Sequence, residues 1–149
     1  MNDAKAELGR KILRLKKAQG LTWNDVAVWL GHAPVWTCAA CLGQMSMTAE
    51  TAAKVGALFN LSEEEVETLQ AIPYRGALPT AVPADPLIYR FYELVMVYGT
   101  TWKEMIQEEF GDGIMSAIDF DMALERQPDQ KGDRVKVTMS GKFLPYKRY

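Results

Sequence analysis

The strongest restriction on the fold comes from a nearly continuous apolar and aromatic run between Leu87 and Tyr98. A helix that is apolar on every side has to be covered on every side. Arg90 and Glu93 interrupt the run, and their spacing places them on one face of a helix, one turn apart. Because a buried charge is costly unless it is paired or used, the two residues form either an internal ion pair or an anion site with an acid or base beside it.

Several separated motifs in and after this run resemble the C-terminal catalytic domain of cyanases, also called cyanate hydratases or cyanate lyases. In chain order they are DPLIYRFYE, VYGTT, FGDGIMSAIDF and GKFLP. The resemblance implies a lyase that uses bicarbonate to decompose cyanate to ammonia and carbon dioxide through a carbamate intermediate, as in cyanate detoxification. By motif, it places the catalytic residues on Arg90, Glu93 and Ser116, and a weaker substrate contact on the Leu144 backbone N–H.

The composition is that of an ordinary soluble globular protein, with 48% hydrophobic and 24% charged residues among 149. The net charge of -2 provides no overall attraction to nucleic acid or to anionic lipid. No apolar run reaches the roughly 18 residues of a membrane span, and the first residues lack an apolar signal-peptide core. We therefore expect a cytoplasmic protein without membrane contact.

Helix signals follow one another through residues 1–72 and predict a five-helix bundle. Thr22 and Ser62 are placed as N-caps, Gly20 and Gly31 as helix ends, and Pro34 in a first turn. The second and third helices, joined by a tight turn, form a repressor-like helix-turn-helix. The cyanase N-terminal domain shares this arrangement, and the resemblance implies that it serves assembly.

The alternative function is a helix-turn-helix DNA-binding regulator with a C-terminal oligomerisation domain. Binding to a duplex depends on Lys and Arg at the phosphates, yet neither residue occurs between Lys17 and Lys54. In the third helix, PVWTCAACL, only Thr37 offers a group that reads base edges. The missing charge disfavours a nucleic-acid partner.

Cys38 and Cys41 form a single C-x-x-C motif, and His32 is the only histidine. A structural zinc site needs four ligands, and a redox site of the thioredoxin kind follows a strand. Cysteine is also among the most commonly buried residues. We interpret both cysteines as core. The cyanase resemblance implies a reaction that needs neither a metal nor an organic cofactor, with bicarbonate as a co-substrate.

Four of the seven prolines fall between Pro73 and Pro86, which predicts a linker over residues 73–85. A small domain of helices and sheet then follows over residues 86–149. Asp85 is placed to cap its first helix, Gly99 to end it, and Thr101 to open a second helix that continues to about Phe110.

Alternating residues after the GDG turn predict a strand over residues 114–124, with the Ser116 hydroxyl on its apolar side. A second alternation runs from Arg134 to Met139, and Ser140-Gly141 is typical of a turn before a short strand at residues 142–144. The predicted fold is therefore α+β, a five-helix bundle followed by a small domain of two helices and a sheet.

So small and apolar a domain is expected to form an oligomer, because small domains bury a low fraction of their surface. The cyanase resemblance specifies a homodecamer, a ring of five dimers with active sites between dimers.

The chemistry of the three site residues agrees with this reaction. Arginine suits planar anions, and serine adds a donor without charge. Glu93 has two alternatives. Apolar burial favours the protonated acid, whereas Arg90 favours the carboxylate, so Glu93 either passes a proton to the departing nitrogen or orients Arg90.

Overall fold

The structure, a computed structural model, describes residues 3–149 and has an α+β fold, as predicted. Five helices come first, followed by a long helix and a two-stranded sheet. The elements are α1 (Asp3–Ala18), α2 (Trp23–Leu30), α3 (Pro34–Cys41), α4 (Ala49–Phe59), α5 (Glu63–Gln70), α6 (Pro86–Phe110), β1 (Gly113–Gln127) and β2 (Arg134–Pro145).

The chain divides into two compact units. One contains the described residues up to Gly76 together with Met122–Thr138, and the other contains Ala77–Asp121 together with Met139–Tyr149. The predicted domain boundaries at residues 72 and 85 stay predictions.

The N-terminal helices begin where the sequence signals place them. Thr22 and Ser62 each accept a hydrogen bond from the backbone N–H three residues on, and the acidic side chain there bonds back to the cap. Such reciprocal pairs satisfy two N–H groups that a helix leaves without internal partners. Gly31 ends α2 with a φ of 73°, a left-handed conformation that glycine adopts without strain. The predicted caps are therefore confirmed.

The first five helices enclose one apolar core. Ile12, Val26 and Val55 are completely buried in it, and Leu8 lies one turn before Ile12 on the same face of α1. Each such side chain contributes about 1.5–3 kcal/mol of hydrophobic stabilisation relative to exposure. Leu15 packs against the core as a partly buried residue, so Leu8, Ile12 and Leu15 form one apolar stripe along α1.

Lys5 on α1 is buried although it is a cation. Its Nζ donates to the carbonyl oxygens of Met45 and Leu69, at 3.2 Å each. Leu69 lies in the last turn of α5, where carbonyl groups lack partners within the helix and attract a cation. Burial lowers the pKa of Lys5, and Arg75 lowers it further by charge repulsion. Lys5 thus ties α1 to the end of α5 and to the loop before α4.

The prediction that Gly99 ends the long helix is wrong, because α6 continues through it to Phe110. Gly99 does not have the positive φ of a helix-ending glycine. A glycine within a helix costs only about 1 kcal/mol, which the surrounding helix-forming residues offset. Thr101 consequently caps no second helix, and one helix of 25 residues replaces the two that were predicted.

The start of α6 follows the sequence signals closely. Asp85 accepts a hydrogen bond from the Ile88 N–H at 2.9 Å, and Pro86 lies in the first turn. Both features confirm the predicted N-terminus of this helix.

No residue of α6 is buried within the chain, although the helix is largely apolar. Its exposed apolar and aromatic side chains are found along its whole length: Leu87, Ile88, Phe91, Leu94, Val95, Met96, Val97, Tyr98, Trp102, Met105 and Phe110. We call these residues the α6 apolar surface.

The sheet is a long hairpin in which Gly113 at the start of β1 lies against Leu144 near the end of β2. At the other end, Arg126 and Asp133 form an ion pair of 2.7 Å across the connecting turn. The predicted turn at Ser140-Gly141 is wrong, because β2 runs unbroken from Arg134 to Pro145.

None of the helices among residues 3–149 is long and apolar enough to cross a membrane.

An ion pair on the helical bundle gives a prediction about stability and pH. Lys11 Nζ lies 2.6 Å from one carboxylate oxygen of Glu65, and the other oxygen accepts from the Ser62 N–H at 2.9 Å. The hydrogen bond from Lys11, followed by that from Ser62, lowers the pKa of Glu65 from its ordinary value of 4.5. Because the folded protein holds the carboxylate more strongly than the unfolded chain, this contribution is present above that value and lost as the pH falls below it.

We expect Glu65→Gln to lower the free energy of unfolding at pH 7 by about 0.5–1 kcal/mol, a small value because Lys11 is partly solvated. Chemical denaturation at pH 7 and pH 3 measures the change, with Glu67→Gln on the exposed face of the same helix as control. The difference between the two variants should shrink at pH 3. An equal difference at both pH values would contradict the role of the carboxylate charge.

Candidate functional site

Arg90 and Glu93 lie one turn apart on α6, as their spacing predicts. The Arg90 Nη1 and Glu93 Oε2 atoms are 3.4 Å apart, and the Arg90 guanidinium also lies 5.7 Å from the centre of the Tyr89 ring. The two side chains are 63% and 47% exposed within the chain. The pair is therefore not buried within one chain, in which no residue of α6 is buried. Burial of the pair in an oligomer stays a prediction.

This loose, solvated contact contributes little to stability, since exposed ion pairs typically contribute 0–1 kcal/mol. The guanidinium uses one of its five N–H donors on Glu93 in a long hydrogen bond. Most of its donors therefore stay available for an anion.

Ser116 contrasts with this pair, because it is buried, with only 5% of its surface exposed. Its Oγ accepts hydrogen bonds from the backbone N–H groups of Ile118 at 3.1 Å and Asp119 at 3.0 Å. A serine hydroxyl has two acceptor positions and one donor. Since both acceptor positions are used, the O–H proton is the part of the group that is left for a ligand.

The two hydrogen bonds require a bend in β1. Three residues of straight strand span roughly 10 Å, which is beyond the reach of a serine hydroxyl. β1 is also longer than β2, at 15 residues against 12, so the strands cannot pair residue by residue along their whole length. The Ile118 side chain is 98% exposed at this bend. Bends of this kind re-aim side chains and are common beside active sites.

Two glycines allow close contacts between the strands at the base of the hairpin. A Cβ at Gly141 would lie within 2.6 Å of Met115 Cγ and closer still to the Ser116 carbonyl oxygen. A Cβ at Gly113 would collide in the same way with the Leu144 carbonyl oxygen and the Phe143 ring. Neither glycine has a positive φ, so close approach and not backbone conformation accounts for both. Each predicted uncharged site group, Ser116 and Leu144, thus has a glycine against its carbonyl.

Among residues 3–149, no hydrogen bond or ion pair joins Arg90 or Glu93 to Ser116 or Leu144. Arg90 contacts Glu93 and Tyr89, whereas Ser116 bonds to Ile118 and Asp119. Two concavities of the described chain are lined by none of the four groups, although the second borders the strand residues next to Ser116 and Leu144. One lies between α1 and α5, and the other is lined by Ile106, Phe110 and residues at the base of the hairpin.

The cysteine motif lies within the helical core. Cys41 is buried and Cys38 partly buried, and both thiols are free. Burial raises the pKa of Cys41 to about 12, and it raises the pKa of Cys38 as well. Such thiols are poor nucleophiles and poor metal ligands at neutral pH, because the reactive form is the thiolate. Over residues 3–149, no group of three or more His, Cys, Asp or Glu side chains is arranged to hold a metal ion.

Thr37 also lies inside the helical bundle, where it is completely buried. It was the one residue of the third helix with a group able to read a base edge. A side chain without solvent exposure cannot reach a DNA groove, so the structure removes the remaining base-reading group from α3.

Gly141 is the site-related residue that sequence reasoning missed. The Ser140-Gly141 pair predicts a turn, because turns are the commonest setting of such a dipeptide. A glycine inside an alternating strand pattern also indicates close backbone approach, and this second meaning applies here.

Comparison with known proteins gives consistent results over both parts of the chain. Residues 5–73 match a family model described as cyanate hydratase, N-terminal, and residues 80–148 match one described as cyanate lyase C-terminal domain. The chain belongs to the cyanate hydratase family. A cyanate hydratase from Methylibium petroleiphilum is 61% identical over 146 residues, which cover 98% of this chain and 99% of that protein.

Other members of the cyanate hydratase family agree with this placement. One from Polynucleobacter asymbioticus is 58% identical over 140 residues, covering 94% of this chain and 95% of its own. The crystal structure of cyanase from T. urticae superposes with a TM-score of 0.82 at 37% identity, covering 93% of this chain and 96% of that one. The sequence-based assignment to this family, an enzyme family of the lyase type, is confirmed.

Proposed function

We propose that this protein is a cyanate hydratase that decomposes cyanate with bicarbonate to ammonia and carbon dioxide. The observation that carries the proposal is identity of about 60% to cyanate hydratases over nearly the whole chain. The chemistry of Arg90, Glu93 and Ser116 is consistent with it.

The proposed reaction has two balanced steps. A bicarbonate oxygen attacks the electrophilic carbon of cyanate, and the nitrogen receives the bicarbonate proton and one proton from the site. The bond between that oxygen and the bicarbonate carbon then breaks, which releases carbon dioxide and leaves carbamate. Carbamate takes up one more proton on nitrogen as its C–N bond breaks, giving ammonia and a second carbon dioxide. The site must therefore hold two anions together and deliver protons to one nitrogen.

Arg90 is the anion-binding residue of this proposal. Its guanidinium keeps its charge at any working pH, and its planar fork of donors suits bicarbonate and cyanate. The single long contact to Glu93 leaves most of these donors available. One guanidinium is little positive charge for two anions, and copies from neighbouring subunits would supply more.

Ser116 and the Leu144 backbone N–H are the uncharged donors. The Ser116 hydroxyl has both acceptor positions occupied, so it is prepared to donate. A donor fixed in this way requires no reorganisation when negative charge develops in the transition state. Leu144 is the weaker assignment of the two, because it is made only from the family motif.

Glu93 is the proton carrier in this proposal. A glutamic acid is a common general acid, and it has to lie within reach of the atom that it protonates. The acid then lies one helical turn from the anion-binding Arg90, and it can give its proton to the cyanate nitrogen. The other role, orienting Arg90, is weakened by the long and solvated contact between the two side chains.

We further propose that the active form is a homodecamer, a ring of five dimers whose sites are shared between subunits. The α6 apolar surface supports an oligomer. Covering even four of its side chains would contribute on the order of 6–12 kcal/mol, comparable with the stability of a whole domain. The absence of contact between Arg90 and Ser116 within the described chain supports shared sites.

The bundle of residues 1–72 is proposed to serve assembly, with a helix-turn-helix-like arrangement of α2 and α3 and no nucleic-acid partner. Residues 73–85 would then be a linker and residues 86–149 the catalytic domain. The absence of Lys and Arg between Lys17 and Lys54, together with the burial of Thr37, supports this assignment. A cytoplasmic location, a detoxification role and independence from metal and organic cofactors stay predictions.

Replacing Arg90 tests the anion site. We expect Arg90→Leu to lower the rate of ammonia release from cyanate and bicarbonate by roughly 10³-fold or more. The reason is that each of the two reacting anions would lose one charged hydrogen bond. Arg14→Leu, on the exposed part of α1, is the matched control and should keep wild-type activity. Wild-type rates from Arg90→Leu would contradict the assignment, and no ammonia from folded wild type would contradict the proposed function.

Replacing Glu93 distinguishes its two roles. We expect Glu93→Gln to lower kcat by roughly 10²–10⁴-fold without raising KM for either anion, because the amide cannot deliver a proton. Glu109→Gln on the same helix is the control for a lost carboxylate. A raised KM with little change in kcat would instead show that Glu93 orients Arg90.

A further inference from the structure

The contact between Gly141 and Ser116 has a consequence for catalysis that rests on the proposed function. A Cβ on residue 141 would meet the Ser116 carbonyl oxygen at far less than van der Waals distance. The Met115 side chain is the other close neighbour, at 2.6 Å, but it is flexible and can move aside. The carbonyl belongs to the backbone, so it can move only if β1 moves with it.

The Ser116 backbone is also where β1 bends. The bend brings the N–H groups of Ile118 and Asp119 to the Ser116 hydroxyl, at 3.1 and 3.0 Å. A displaced carbonyl would rotate the same residue whose side chain those two groups hold. The glycine, the bend and the direction of the hydroxyl proton are therefore linked through one backbone unit.

We propose that Gly141 is a positioning residue for the reaction. Because it lacks a Cβ, β2 lies directly against the Ser116 carbonyl and maintains the bend that aims the Ser116 hydroxyl at the substrate anions. Gly141 touches no substrate in this proposal and acts only through Ser116.

A double-mutant cycle separates this role from a structural one. The rates of ammonia release are measured for wild type, Gly141→Ala, Ser116→Ala and the double variant, with cyanate and bicarbonate. We expect Ser116→Ala to lower kcat by roughly 10²–10³-fold. We expect Gly141→Ala to lower kcat by on the order of 10²-fold, because a hydroxyl that points away from the substrate no longer stabilises the transition state. When Ser116 is already alanine, adding Gly141→Ala should lower kcat by less than about twofold.

The melting temperature and native mass of each variant show how much folded enzyme contributes to the rate. The proposal would be overturned if Gly141→Ala had the wild-type kcat per folded enzyme. It would also be overturned if Gly141→Ala lowered kcat by the same factor when Ser116 is alanine, or if the Gly141→Ala/Met115→Ala double variant recovered activity. The last result would show that the Met115 side chain, and not the Ser116 backbone, is the group that matters.

If Gly141→Ala does not fold, the bend itself is tested at Ile118, whose side chain is 98% exposed. Ile118→Pro removes one N–H that holds the Ser116 hydroxyl, and Ile118→Ala keeps that N–H. We expect a loss of at least tenfold in kcat for the proline variant only. Equal rates in the two variants would overturn the proposal. Wild type without activity would instead refute the proposed function, and with it this inference.

Discussion

Everything in this structure depends on how the apolar surface of α6 is covered. The helix is capped at Asp85 and continuous to Phe110, yet none of its residues is buried within the chain. Leaving so much apolar surface in water costs more free energy than a small domain can offset, because folding leaves a margin of only about 5–15 kcal/mol. Cover by other copies of the chain, as in the proposed homodecamer, would remove this cost.

The same constraint would account for the proposed sharing of the site between chains. Arg90 and Glu93 lie on the uncovered helix, whereas Ser116 is already fixed by two backbone N–H groups. The Ser116 hydroxyl is thus held in place within one chain. The Arg90–Glu93 pair remains solvated until other chains cover α6 in the proposed oligomer. Assembly would exclude water from the pair and strengthen every electrostatic interaction there, since charges interact more strongly in a less polar medium. In this account, folding prepares the donor and assembly completes the anion site.

Sequence reasoning predicted the local features well and the long-range ones poorly. The caps at Thr22, Ser62 and Asp85 follow from side-chain chemistry within four residues, and all three are present. Gly99 was misinterpreted because a glycine ends a helix only when its φ is positive, which depends on the residues around it. The role of Gly141 is not visible in the sequence, because the group that leaves no room for a Cβ there is the Ser116 carbonyl oxygen on the other strand. The positions of Arg90, Glu93 and Ser116 came from the family motifs, and their roles stay predictions.

The most direct test of the account is the native mass of the active enzyme, measured by sedimentation velocity over a dilution series with ammonia release assayed at each concentration. If a homodecamer with shared sites is the active form, wild type sediments at the mass of ten chains. Activity then falls in step with any dissociation on dilution, because the Arg90 and Ser116 of one site would come from different chains. Full activity in a species with the mass of a single chain would contradict it.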